Sequence, residues 1–211
     1  MFLLFGERVY SEAKPDGEYP CGICSVNRSF NKVIETNYFC LFGIRLLPIE
    51  KIANYLQCTH CNNAYAFGST HVPSQIAPIK KVLTYIQLGY GLQARRDLLQ
   101  DICLKVSSYE YSNVEIADDL RDAMKKGREI NEYLKGLAPA LNTRGKQEII
   151  EAAFLMTHAC CEIQYEDRLR INLMGNALGV SLEFVTSVIN HIHAQGCYGV
   201  KRLLPTEVKA S

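Results

Sequence analysis

From residue 79 onward the apolar positions recur at helical spacing, whereas the first 67 residues are rich in β-branched and aromatic side chains broken by turn residues. In the later stretch Ile79, Val82, Leu83 and Ile86 begin a short helix ended by Gly89 and Gly91, and Leu92, Leu99, Ile102, Cys103 and Val106 mark a second. Ser112 followed three residues on by Glu115 has the form of a capping box. It opens a helix whose stripe is Ile116, Leu120, Ala123, Gly127, Ile130 and Leu134, closed by Gly136. Between Glu148 and Cys161 two adjacent rows are apolar, and so wide an apolar arc predicts a central helix. Leu169, Leu173 and Ala177 define the next helix, stopped at Gly179. Ser181 caps a last one with Leu182, Val185, Ile189 and Ile192 inward and Gly196 just past its end. About six helices with short connections predict an all-α bundle over residues 79–197.

The early stretch is punctuated by Pro15-Asp16-Gly17, Asn27, Asn31, Gly43, Pro48, Asn54 and Asn62-Asn63, which predicts short strands and turns over residues 1–67. Taken as one extended strand, residues 38–47 place Tyr38, Cys40, Phe42, Ile44 and Leu46 on one face and Phe39, Leu41, Gly43, Arg45 and Leu47 on the other. Both faces are largely apolar, so the second is expected to be covered, with the helical part the nearest candidate and a second copy or another partner the alternatives. Residues 68–78 have no periodicity and contain Pro73 and Pro78, which predicts a linker without helix. Residues 198–211 follow as a C-terminal tail.

Composition narrows the class of protein. Hydrophobic residues make up 48% of the 211 and charged residues 21%, as in a globular chain. Residues 1–73 carry six basic and six acidic side chains, and the remainder seventeen and sixteen. Neither part has the basic excess that binding to a phosphate backbone leaves. The opening Met1–Gly6 is apolar but lacks a basic n-region and meets Glu7 too early for a secretory signal. No apolar run reaches the roughly 20 residues of a membrane span. The expected location is the cytoplasm, where nine cysteines serve as ligands, core residues or thiols rather than disulfides.

Four of those cysteines carry the chemistry. Cys21-Gly-Ile-Cys24 and Cys58-Thr-His-Cys61 are paired C-x-x-C turns, each able to aim two sulfurs at one ion. Together Cys21, Cys24, Cys58 and Cys61 predict one structural zinc ion in a closed tetrathiolate shell, with no open position for a catalytic water. His60, inside the second turn, is expected at the surface or beside the site, and Cys40 in the core.

Around these turns the sequence resembles a family of small bacterial zinc-ribbon proteins. The likeness lies in Met1–Gly6, the first turn, the aromatic run Asn37–Ile49 with its Pro48, and Tyr55-Leu-Gln-Cys58-x-x-Cys61 before Tyr65. It spans residues 1–67 and implies a zinc site without a reaction. Residues 75–197 resemble the TerB-like domain of tellurite-resistance and related stress proteins, through Ile150–Glu166 and then Leu169–Ser181. That family carries Ala-Asp-Gly and further acidic residues regarded as a cation site. Here Cys160 and Cys161 stand where Asp and Gly are expected, and Gln164 replaces another acid, so the cation site does not carry over. His158, Cys161 and Glu162 could hold a softer metal, against the plainer reading that the cysteines fill a helix contact.

Lys125, Lys126 and Arg128 form the densest basic cluster, but acidic residues surround it on the same helix. There is no Gly-rich phosphate loop, no Gly-x-Ser-x-Gly elbow and no His-Glu-x-x-His. The expected protein is thus a small β zinc ribbon followed by an all-α, TerB-like bundle. Its expected role is that of a non-catalytic zinc-binding adaptor in bacterial stress response, working through contacts with an unknown protein partner. The alternative is a nucleic-acid-associated protein using the ribbon, against which the charge balance weighs.

Overall fold

A computed structural model describes residues 5–91, 95–126 and 129–195. Its chain divides into two compact units, Met1–Ser74 with Leu137–Gly145, and Gln75–Gly136 with Lys146–Ser211.

The first unit is an antiparallel sheet in the order β1 (Phe5–Cys21), β2 (Val26–Leu41), β3 (Ile44–Cys58) and β4 (Ala64–Tyr65). The first three strands run 17, 16 and 15 residues, far beyond the usual 5–6. The expected small zinc ribbon is therefore wrong, as is the fold class built on it. Among the described residues the chain forms a large four-stranded sheet followed by seven α-helices. Several residues that look like punctuation lie inside strands, and bulges accommodate those around Pro15 and Pro48. Pro15-Asp16-Gly17 sits at a register shift in β1, with Asp16 the extra residue. In β3 the register skips Leu46, Ile49 and Ile52 in turn, the second beside Pro48. Each bulge bends its strand and strengthens its twist.

Residues 38–47 are likewise not one strand. Leu41 pairs with Ile44, and the two residues between them turn the chain with φ of 52° at Phe42 and 80° at Gly43. Positive φ at both central residues is the hairpin turn that matches strand twist, and only Gly43 advertises it in sequence. The two buried clusters of the sheet lie toward the opposite end, Cys21, Phe30, Leu56, Cys58 and Tyr65 with Val33, Ala53, Tyr55 and Ala64 beside them, while Cys40 is buried nearer the turn. Near the turn Phe5, Phe42, Ile44, Leu46 and Leu47 stay at least half exposed.

The second unit holds α1 (Ile76–Gly89), α2 (Arg96–Ser107), α3 (Asn113–Lys126), α4 (Ile130–Leu137), α5 (Thr143–Cys160), α6 (Tyr165–Ala177) and α7 (Leu182–Ala194), the ends of α4 and α5 at residues 137–145 excepted. Helix α1 starts at Ile76, so the expected linker already contains a helical turn. Pro78 fits there because first-turn N–H groups have no intrahelical partner. The stripe expected on one helix from Ser112 to Leu134 is divided between α3 and α4. Leu92, Gly127 and Gly196 lie outside the described residues, as do Arg128, the side chains of Lys125 and Lys126, and the 198–211 tail. Helix α5 is central as expected, with Ile149, Ile150, Ala153, Phe154 and Met156 all buried.

On α6 the buried face differs from the expected one. Leu169 and Leu173 are nearly half exposed, and Ile171, Met174 and Gly175 point inward. On α7 Leu182 is exposed while Val185, Val188 and Ile192 are buried. Gly175 sets this packing, because a Cβ there would stand 2.4 Å from Val185 Cγ2. Gly175→Ala should lower the stability of this unit by about 1–3 kcal/mol through overpacking. The double change with Val185→Ala should cost at least about 1 kcal/mol less than the two singles summed. Additive melts would show that α6 and α7 do not meet at this point.

The capping box at α3 forms as read. Glu115 accepts from Ser112 N and Oγ, and its own N–H donates to Ser112 Oγ. Burial works against the Glu115 carboxylate, but the bond from Lys80 Nζ at 2.9 Å and those from Ser112 outweigh it, holding the carboxyl down to about 2. Unfolded, the group titrates near its ordinary 4.5. Its contribution to stability is complete above that pH and is lost as pH falls toward 2. Glu115→Gln should therefore flatten the acid limb of the unfolding profile in that window. A limb unchanged in slope would remove Glu115 from the account.

Candidate metal centre

The two C-x-x-C turns fold alike. Strand β1 ends at Cys21, and Ser25, with φ of 56°, returns its N–H to Cys21 O at 2.8 Å. Strand β3 ends at Cys58, and Asn62, with φ of 58°, donates to Cys58 O at 3.0 Å. Each turn thus closes on the residue after its second cysteine, which takes the left-handed conformation so that both sulfurs face one point. Asn tolerates that conformation better than Ser does.

Because β1 and β3 both flank β2, the two turns emerge at the same end of the sheet. All four sulfurs of Cys21, Cys24, Cys58 and Cys61 lie within 4.8 Å of one another, and Cys21 Sγ is 3.7 Å from Cys61 Sγ. A tetrahedron with metal–sulfur bonds of about 2.3 Å has edges of about 3.8 Å, so the arrangement fits a tetrahedral ion. Cys21 and Cys58 are buried, while Cys24 and Cys61 are half-buried. Among the described residues this is the one group of three or more His, Cys, Asp or Glu side chains with ligand spacing. The four cysteines could hold a metal ion.

The surroundings anchor both turns. Thr59 sends its N–H and its Oγ1 to Ser29 O, each at 3.0 Å. Asn142 Nδ2 donates to Asn62 O at 2.9 Å and Arg144 Nη1 to Cys61 O at 3.2 Å, bringing the segment 137–145 onto the second turn. Gly22 N–H donates to Thr70 O at 3.0 Å. Tyr65, fully buried, places its hydroxyl 3.1 Å from Cys21 Sγ and packs edge-on against Phe30 at 5.5 Å.

Electrostatics favour a cation at this point. Burial opposes the Cys21 thiolate, but the Tyr65 hydroxyl and the amides of Cys24 and Ile23 outweigh it and bring the thiol down to about 7. Burial, with the crowding of Cys21 and Cys61, pushes Cys24 up to about 12, and burial also raises Cys58. Four sulfurs this close cannot all ionise by themselves. A divalent ion between them reverses the balance, because it stabilises every thiolate at once.

The remaining sequence candidates lie elsewhere. His60 is exposed and Cys40 is buried between the strands. His158 packs on Phe154 at 5.9 Å, and Cys161 Sγ turns to Thr157 O at 3.5 Å and Asp167 Oδ2 at 3.6 Å. Sequence reasoning passed over Asp167, a buried carboxylate that accepts from Tyr90 OH and the Gln164 N–H. Its three-residue spacing from Gln164 was the available signal, since the pair forms a capping box on α6. Gly22, Asn142 and Arg144 gave no signal, because their partners are distant in sequence.

Fold and site together define a protein whose long antiparallel sheet carries a tetracysteine cluster able to hold a metal, in a chain that also builds an all-helical unit. No family model, curated protein or solved structure matches the chain. Among the described residues no helix is long and apolar enough to cross a membrane.

Proposed function

We propose that Cys21, Cys24, Cys58 and Cys61 hold one structural zinc ion, and that the protein is a non-catalytic binding protein acting through protein contacts. The single observation that carries this reading is the convergence of four sulfurs from two turns of one form. An all-sulfur tetrahedral shell suits zinc or an iron–sulfur centre, and four thiolates leave no open position for substrate or water. In a reducing cytoplasm, where we place the protein, these thiols stay available to the ion. The link to bacterial stress physiology rests on the sequence resemblance alone.

Native mass spectrometry should find one zinc per chain, released by chelation. An iron-loaded, coloured protein, or a chain that takes up no metal, would overturn the zinc assignment. Protein contacts are supported by the exposed apolar residues around Phe42 and Leu47. A photocrosslinker placed at Leu47 should form protein adducts in cells. Adducts to nucleic acid instead would favour the nucleic-acid reading.

A further inference from the structure

The second unit contains a cavity that the metal centre does not use. It measures about 690 Å³ and lies among α1, α3, Glu129 and α4, within the range of about 300–1,000 Å³ found for small-molecule sites. Leu88 and Ile130 supply apolar wall, while Asp119, Asp122, Glu129 and Glu132 bring four carboxylates to its lining. The described lining offers two cations, Lys80 and Lys81, and both are engaged. Lys80 Nζ lies 2.9 Å from Glu115 and 3.4 Å from Asp119. Lys81 Nζ stands 3.9 Å from the centroid of the Tyr133 ring.

That last contact points to the ligand. An ammonium group at van der Waals distance over an aromatic face is the geometry by which proteins recognise amine ligands. Here the chain's own lysine occupies the seat. We propose that this cavity binds an organic cation, a polyamine or alkyl amine, whose ammonium groups meet Tyr133 and the carboxylates while its carbon chain lies along Leu88 and Ile130. Lys81 is then an internal competitor that the ligand displaces from the ring. An anion would meet carboxylates, with both described lysines already satisfied by neighbours.

Calorimetric titration of the full metal-loaded chain with spermidine tests this, with citrate as the anionic counter-probe. Spermidine should bind saturably at one site and citrate should not. Tyr133→Phe should keep the affinity, and Tyr133→Leu should weaken it about threefold or more. Lys81→Gln should tighten binding, and by more than Lys135→Gln, an exposed position on α4 that removes the same charge without freeing a ring. Absence of saturable spermidine heat, preferential citrate binding, or equal effects of Lys81→Gln and Lys135→Gln would each overturn the proposal. The two lysine variants keep the test decisive even if Tyr133→Leu fails to fold.

Discussion

Cys58→Ser should abolish metal binding and unfold the first unit, the largest effect of any single change. Cys58 has no exposed surface and sits in the cluster of Cys21, Phe30, Leu56 and Tyr65. Those residues, with Val33, Ala53, Tyr55 and Ala64, make up the two buried clusters of the sheet, and both lie toward its cysteine end. Structural zinc contributes an apparent ~10–16 kcal/mol in finger peptides, comparable with the whole stability of an ordinary domain. Sheet length does not replace that, because the residues near Phe42 and Ile44 bury little apolar area. Amide exchange should therefore show protection lost along β1, β2 and β3 in the variant or after chelation. The helical signal of the second unit should remain, since the core around Ile79, Leu99 and Ile149 contains no ligand. A Cys58→Ser protein with a protected sheet would refute the role of the metal in folding. Simultaneous loss of the helices would refute the independence of the two units.

Gly22→Ala should be the most damaging change in the first unit outside the cysteines. A Cβ on Gly22 would stand 1.6 Å from His71 O and 2.5 Å from His71 C. Both atoms are backbone, so no rotamer relieves the clash. The approach is fixed by the bond from Gly22 N–H to Thr70 O. Overpacking costs about 1–3 kcal/mol and occasionally more, and the lost bond adds about 1 kcal/mol. The total should reach about 3 kcal/mol, seen as a lower urea midpoint of the metal-loaded protein. Metal affinity should fall with it, because Gly22 lies between Cys21 and Cys24 and any shift moves both sulfurs. Gly6→Ala is the matched control: no atom lies within 4 Å of its added Cβ, and β1 there is extended. It should be neutral or slightly stabilising. Equal costs at the two positions would mean that His71 does not approach Gly22 in solution.

What could be read in the sequence was local. Two residues between cysteines determine how a turn can aim its sulfurs, and Ser112 with Glu115 reach each other across one helical turn whatever surrounds them. The wide apolar arc of α5 announced a central helix for the same reason, since its pattern lies within one element.

Apart from the local capping box of Gln164 and Asp167 on α6, what went unread depends on partners far along the chain. The length of β1, β2 and β3 is set by their pairing, so Asn31, Asn54 and Pro48 fit within strands that their own propensities oppose. The inward face of α6 follows from where Val185 meets Gly175, which overrides the apparent stripe of Leu169 and Leu173. The need for glycine at Gly22 comes from the backbone of His71, the hydroxyl beside Cys21 from Tyr65, and the anchor of the second turn from Asn142 and Arg144. Sequence by itself determined which residues could hold a metal, because ligand spacing is a property of a few consecutive bonds. Only the tertiary structure decided what sheet carries them and what surrounds them, because those contacts join residues that the chain keeps tens of positions apart.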